Sequence, residues 1–203
     1  MAAGDVAVSN TKVRAFDCNL FNGVDDYVEI PHNANQLGAN LSNGFTISAW
    51  INSKSLGEGG TGRIVDKSTS STGGSGFGLS LVTIEKLRLR INGSTEIYSN
   101  ASSIILGTWQ HILVQIKSNS ATSFYINGNL SGSADQAVNK PISDITTTNP
   151  IRIGQRSFDT GSTFDGSIRD VKMWNRVLTT AEITADYEGS PNTLGLIHHF
   201  KLG

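Results

Sequence analysis

Between Trp109 and Asn129 the chain reads WQHILVQIKSNSATSFYINGN, and no other stretch restricts the fold as strongly. Ile112, Val114 and Ile116 alternate with His111, Leu113, Gln115 and Lys117; after a polar break, Phe124 and Ile126 alternate with Ser123, Tyr125 and Asn127. A period of two belongs to a strand with one buried face. The run stops at Asn127-Gly128, a pair that supplies the positive φ angles of a tight type I′ turn, so a further strand is expected to fold back after it. The segment therefore predicts an antiparallel sheet over a core.

The rest of the chain repeats that grammar. Strand-like runs are expected at Lys12–Phe16, Asp26–Ile30, Phe45–Asn52, Gly62–Asp66, Phe77–Val82, Lys86–Ile91, Glu96–Tyr98, Trp109–Lys117, Ser123–Asn127, Pro150–Gly154, Ser167–Trp174 and Leu196–Lys201. Many short strands punctuated by Gly, Asn and Ser argue for an all-β sandwich or barrel. One helix is expected at Thr180–Tyr187, with Thr179 as cap, Glu182 closing a capping box, and Gly189 and Pro191 ending it. No linker-like shift in composition divides the 203 residues, so one domain over 1–203 is expected, with 1–11 as an extended arm. Ser53–Gly76, rich in Gly, Ser and Thr, reads as a flexible hairpin tip or a mobile loop over a ligand. Its glycines do not form a phosphate-binding pattern.

Composition narrows the function. With 37% hydrophobic residues the chain can bury a full core, and with 16% charged residues its polarity comes mainly from Ser, Thr, Asn and Gly. A net charge of −1 offers no electrostatic footprint for nucleic acid or an anionic membrane. No apolar run is long enough for membrane insertion as a helix. Cys18 is the sole cysteine, in an alternating run where a buried inert thiol is expected, so an intrachain disulfide is excluded. The start, Met-Ala-Ala-Gly-Asp-Val, lacks the basic and apolar stretches of a signal peptide, so export would rely on a trimmed signal or another route, such as a virus particle.

Several segments, taken in order, resemble a known family. They are Phe21-Asn-Gly-Val-Asp-Asp-Tyr-Val-Glu-Ile-Pro31, Phe45-Thr-Ile-Ser-Ala-Trp-Ile51, Trp109-Gln-His-Ile and Tyr125-Ile-Asn-Gly128. Ile151-Arg-Ile-Gly154 follows, then Phe164-Asp-Gly-Ser-Ile-Arg-Asp-Val-Lys-Met-Trp-Asn-Arg176 and the helix Leu178–Tyr187. Together they resemble the concanavalin A-like jelly rolls of the laminin-G-like and pentraxin branch, in the form of a laminin G-like type 3 module, over about residues 15 to 203. The resemblance implies a two-sheet antiparallel jelly-roll sandwich with one short C-terminal helix, six or seven strands per sheet, and both chain ends paired at an edge. It also implies a binding module: a lectin, a carbohydrate module or an adhesive repeat. The β-glucanase relatives carry a catalytic Glu-x-Asp-x-x-Glu strand, a motif not found in this sequence. Glu85, Glu96, Glu182 and Glu188 do not form such a strand-borne pair, and hydrolysis needs two carboxyls about one bond.

Pleat alternation then selects a candidate face. Phe45, Ile47, Ala49 and Ile51 are expected inside, leaving Thr46, Ser48, Trp50 and Asn52 outside. Leu87, Leu89 and Ile91 go inside with Lys86, Arg88 and Arg90 outside; Val171 and Met173 inside with Asp170, Lys172 and Trp174 outside. The Trp109–Asn129 hairpin exposes His111, Gln115, Lys117 and Tyr125. If these strands are neighbours, Trp50, Arg88, Arg90, Gln115, Tyr125 and Trp174 form a glycan platform, with aromatic faces under sugar rings and polar groups on hydroxyls. Arg88 and Arg90 would favour acidic or sulfated sugars. His111 is expected to be structural, and His198-His199 points to both faces of one strand and so cannot easily chelate one metal.

Calcium enters through the resemblance, since relatives bind it with several carboxylate and carbonyl oxygens. The loop QRSFDTGSTF, Gln155–Phe164, offers Gln155 and Asp159 with Asp165 beyond, but has Arg156 where the relatives carry an acid. Arg169 stands where other branches place a liganding Asp, so a guanidinium would replace the cation there. The remaining candidate ligands are Asp25, Asp26, Asp159 and Asp165. The expected function is a non-catalytic module that binds a glycan or polysaccharide, extracellular or on a particle surface. The rival is a structural or adhesive homo-oligomer of a virion or surface layer that uses the same fold.

Overall fold

The computed structural model describes residues 19–34, 36–37, 41, 43–70, 74–93, 95–116, 121–137 and 147–202. Cys18, the run Lys12–Phe16, the arm 1–11 and Lys117 lie outside them. Two antiparallel sheets stack face to face. The seven-stranded sheet contains β1 (Asn19–Asn22), β3 (Phe45–Ser53), β8 (Gln110–Ile116), β9 (Ala121–Ile126), β10 (Asn129–Ala137), β12 (Asp165–Trp174) and β13 (Leu196–Phe200), in the order β1-β12-β3-β8-β9-β10 with β13 also on β12. The six-stranded sheet runs β2 (Val28–Ile30), β11 (Ile151–Ile153), β4 (Thr61–Ser68), β5 (Gly76–Val82), β6 (Lys86–Ile91), β7 (Thr95–Tyr98). One helix, α1, spans Thr180–Tyr187.

Alternation builds the core as expected. Phe45, Ile47 and Ala49 meet Ile116, Val114 and Ile112 across the β3–β8 ladder, and these six and Ile51 are buried. Phe77, Leu79 and Leu81 pair with Ile91, Leu89 and Leu87 on the facing sheet. The Asn127-Gly128 turn forms with φ of 49° and 76°, and β10 folds back on β9 from Asn129. The Ser53–Gly76 segment is not a flexible tip throughout, because Thr61–Ser68 forms β4 between β11 and β5. A bulge in β4 between Arg63 and Val65 buries Ile64 and Val65 in succession and leaves Arg63 and Asp66 on the outer face.

A second bulge, between Arg169 and Lys172, changes the parity of β12. Ile168 and Val171 both enter the core, Asp170 is the bulged residue at φ 50°, and Arg169 joins Lys172 and Trp174 on the outside. Asp170, expected on the outside, lies partly exposed with its carboxylate 3.3 Å from His199 Nε2, and His199 pairs with Lys172. The bulge is also where β12 changes partner, from β1 (Asn19 to Asn22) to β13 (Phe200 to Leu196). The two terminal strands lie end to end along one edge of β12 rather than against each other.

The helix seals the outer face of the seven-stranded sheet. Thr179 and Glu182 close the expected capping box, and Arg176 grips Glu182 through two bonds of 2.7 and 2.9 Å. Those Arg176 bonds, with the Thr179 amide, hold the Glu182 carboxyl down at about 2.

Candidate functional site

The six-stranded sheet has an outer face that α1 does not cover, and its register arranges charge in rows. Arg63 pairs across to Ser80, Ser80 to Arg88 and Arg88 to Tyr98. The next row runs Glu29, Arg152, Asp66, Gly78, Arg90 and Glu96. The central strand β5 thus contributes the small residues Ser80 and Gly78 between the long side chains of β4 and β6. Gly78 is required there: a Cβ would stand 2.5 Å from Arg63 Nη1 and 2.6 Å from Asp66 Oδ2. The Arg63 guanidinium therefore lies low against the sheet, with its residue only 2% exposed.

Asp66 is saturated. Its Oδ1 accepts from the Ser68 amide and hydroxyl at 2.9 and 2.6 Å and from the Ser157 amide and hydroxyl at 3.1 and 2.8 Å. Its Oδ2 lies 3.3 Å from Arg63 Nε. Burial pushes Arg63 down to about 10; Asp66 opposes that, and the nearby cations Arg88, Arg90 and Arg156 add to it.

Glu96 serves two arginines at once. Its Oε1 accepts from Arg88 Nη1 at 3.3 Å, from Arg90 Nε at 2.8 Å and from Arg90 Nη2, while Oε2 accepts from the Tyr98 hydroxyl. Burial pushes this carboxyl up, but Tyr98 and the two arginines outweigh it and leave it below its ordinary value. Lys86 Nζ sits 4.3 Å above the Tyr98 ring. At the other end Arg152 binds Glu29 at 2.8 Å, donates to the carbonyls of Arg156 and Asp159 at 2.9 Å, and covers the Tyr27 ring. Arg156 pairs with Asp159 at 3.1 Å and approaches the Phe158 ring.

The platform expected from sequence does not assemble. Trp50, Gln115, Tyr125 and Trp174 stand on the seven-stranded sheet, whereas Arg88 and Arg90 stand on the six-stranded one, so the two groups face away from each other. Three of the four on the first sheet serve the helix. Trp174 points outward but is 0% exposed, packed with Leu113, Leu178 and Ile183, and its Nε1 donates to the Asn192 carbonyl at 2.8 Å. Tyr125 packs on the same cluster, and Gln115 Oε1 accepts from the Leu178 amide at 3.0 Å. His111, as expected, is structural: its Nε2 meets buried Asp186 at 3.1 Å, and Lys172 meets the same carboxylate at 3.0 Å. Burial pushes Asp186 up, yet His111 and Lys172 hold it below its ordinary value. His198 and His199 part as expected, to the Gln36 carbonyl and to Asp170.

Trp50 keeps partly exposed company of its own. Its ring stacks on Tyr187 at 5.7 Å, and Arg169 lies 5.4 Å from it and 4.9 Å from Trp109. Sequence alternation missed Arg169 because the β12 bulge is silent in the hydrophobic pattern. It missed Arg63 for the same reason, since a β4 bulge decides its face.

The four candidate metal ligands do not converge. Asn22 organises Asp25 and Asp26 in a closed turn: its side-chain amide donates to Asp25 at 2.8 Å and its backbone amide to Asp26 at 3.0 Å. Asp165 accepts from the Ser55 hydroxyl at 2.8 Å, and Asp159 is held by Arg156 and the Gly161 amide. Among the described residues no three His, Cys, Asp or Glu side chains gather as a metal site. Asp25 and Asp26 follow β1, Asp159 lies between β11 and β12 and Asp165 opens β12, so the four do not form one set of ligands for an ion that needs several oxygens at once.

The comparisons with known proteins agree with this architecture. No curated protein sequence matches the chain. Among solved structures, a candidate carbohydrate-binding protein from Bacteroides ovatus superposes with a TM-score of 0.64 at 17% identity, covering 91% of this chain and 50% of its own. A heptameric SAP-like pentraxin from Limulus polyphemus gives 0.56 at 19%, over 82% of this chain and 83% of its own. The botulinum neurotoxin type C structure whose cell entry depends on two ganglioside molecules gives 0.62 at 19%, over 92% and 45%. The chain thus spans about half the length of the first and third of these. Among the described residues no helix is long and apolar enough to cross a membrane. The sequence itself matches the laminin G-like family over residues 22–184, and the chain belongs to the concanavalin A-like lectin/glucanase superfamily.

Proposed function

We propose that the protein is a non-catalytic glycan-binding module acting outside the cell or on a particle surface, and that it binds through the outer face of the six-stranded sheet. One observation carries the reading: Arg88, Arg90, Glu96 and Tyr98 form a partly exposed, hydrogen-bonded ladder on the sheet face that α1 leaves open. Such an array presents fixed donors and acceptors to hydroxyl groups, and its orientation is set by neighbouring strands rather than by loops. Binding of carbohydrate or gangliosides by structural neighbours supports the class of ligand, at the level of fold only. Glu96 is committed to two arginines on one sheet and Glu182 caps the helix on the other, so these two do not form a catalytic pair.

A glycan array with three proteins tests the proposal. The unaltered chain is expected to retain a defined set of glycans, R88A/R90A to lose them, and W50A, altered on the opposite sheet, to keep them. Loss in W50A with retention in R88A/R90A would move the site to the Trp50 side. Ordered self-association in solution with no glycan retained would replace the reading with the adhesive one.

A further inference from the structure

Among the described residues, the arginine face holds buried donors that no acceptor meets in hydrogen-bond geometry. Arg63 Nη1 and Arg88 Nε are both buried, and neither has a hydrogen-bond partner. They belong to residues on either side of Ser80 in one row of the sheet. Buried donors left unpaired are costly, and native structures rarely keep them without a ligand, water or function to meet them. Glu96 divides its Oε1 between two arginines, and Asp66 accepts four bonds on Oδ1, while its Oδ2, 3.3 Å from Arg63 Nε, forms an ion pair without a hydrogen bond. Among the described residues, the guanidinium groups Arg63, Arg88, Arg90 and Arg156 lie near one another with Asp66, Glu96 and Asp159 as their ion-pair partners.

We propose that this face receives the anionic substituent of an acidic glycan, a sulfate, phosphate or carboxylate, between Arg63 Nη1 and Arg88 Nε over the floor made by Gly78 and Ser80. The inference rests on the reading of this face as glycan-binding and narrows it to charged sugars. An anion there accepts the two open donors in charge-assisted bonds and relieves repulsion among the four guanidinium groups, the same repulsion that helps to lower Arg63. Arg88 is 13% exposed and Arg90 18%, so the route from solvent passes them to the deeper Arg63. Glu96, 29% exposed and bonded to Arg88 and Arg90, opposes an anion and so limits its affinity.

The test is calorimetry on the full chain with oligosaccharides offered in matched sulfated, uronate-bearing and neutral forms, with inorganic sulfate as a separate probe. The anionic forms are expected to bind at least about tenfold more tightly than the neutral ones, with the advantage shrinking as salt rises. R63Q and R88Q should each remove roughly ten- to a hundredfold of that advantage. Should R63Q melt early, R88Q carries the measurement, because its side chain reaches solvent. Neutral and anionic forms binding equally would overturn the anion site while leaving the glycan reading intact. Sulfate binding lost in both variants, with no oligosaccharide retained, would keep the anion site and sink the glycan reading. No binding of any probe would remove both.

Discussion

Lys67 shows how a single residue can set a pH dependence. It pairs with Phe77 on the core side of β4, so its ammonium sits at the end of the sandwich, 1% exposed. There it donates to Gln36 Oε1 at 2.6 Å and to the Asn149 carbonyl, and lies 3.3 Å from His32 Nδ1. None of these partners is a carboxylate, so they replace the lost water only in part, and burial lowers the lysine to about 8. The unfolded chain therefore holds this proton up to about pH 10.5 whereas the folded one releases it near 8. Between those values the unfolded state binds more protons, so the contribution of Lys67 to stability rises with pH; below 8 its burial cost is present in full. Comparing melting temperatures of the wild type and Lys67→Met at pH 7.5 and pH 10 isolates the group. The wild type is expected to gain on the variant by about 5 °C over that range. A constant difference between the two would refute the assignment.

At the scale of elements, α1 decides what the seven-stranded sheet can do. A short amphipathic helix has little stability alone, and here it is fastened by ions rather than by area. Asp186 reaches down from its last turn to His111 on β8 and Lys172 on β12, and all three side chains are buried. Removing one partner of a buried pair strands the others, so Asp186→Ala is expected to cost about 3–5 kcal/mol. For a domain of this size that is a fall of roughly 10 °C in melting temperature, read by calorimetry. A shift of a degree or two would mean that the helix is held by Ile183, Leu178 and Trp174 alone. Much of this element was legible beforehand: Thr179, Glu182 and Gly189 mark its ends in the sequence. Its docking was not. A helix that covers a sheet face buries outward Trp174 and half-buries Tyr125 and Gln115, and strand alternation cannot register a third layer. The same limit explains the divided platform, since period-two patterns assign a side chain to inside or outside but not to one of two sheets. Bulges complete the list: Arg63 and Arg169 owe their faces to an extra residue that leaves no mark on hydrophobicity.

The molecule as a whole closes on its last strand. β13 takes over from β1 along the edge of β12 at the Asp170 bulge, where the Asp170 amide donates to the Lys201 carbonyl at 3.1 Å. Ile197, Phe200 and Leu202 from this segment pack against the common core, and His198 ties it to the Gln36 carbonyl beside Lys67. Loss of the segment uncovers Val171 and Met173 and opens the upper half of β12 as an unpaired edge. Three partly buried apolar side chains contribute about 1–2 kcal/mol each, less than the value for full burial, and the lost ladder bonds add to that. The sum, about 4–7 kcal/mol, is a large share of the roughly 5–15 kcal/mol that holds a typical domain together. Removing residues 196–203 is therefore expected to leave a chain that unfolds in urea well before the intact protein, with a lower midpoint and a shallower transition. A truncated chain with an unchanged midpoint would show that the sandwich closes through β1 alone. In that case the terminal strand would be an accessory on an already complete fold, and the six-stranded sheet would be stable without it.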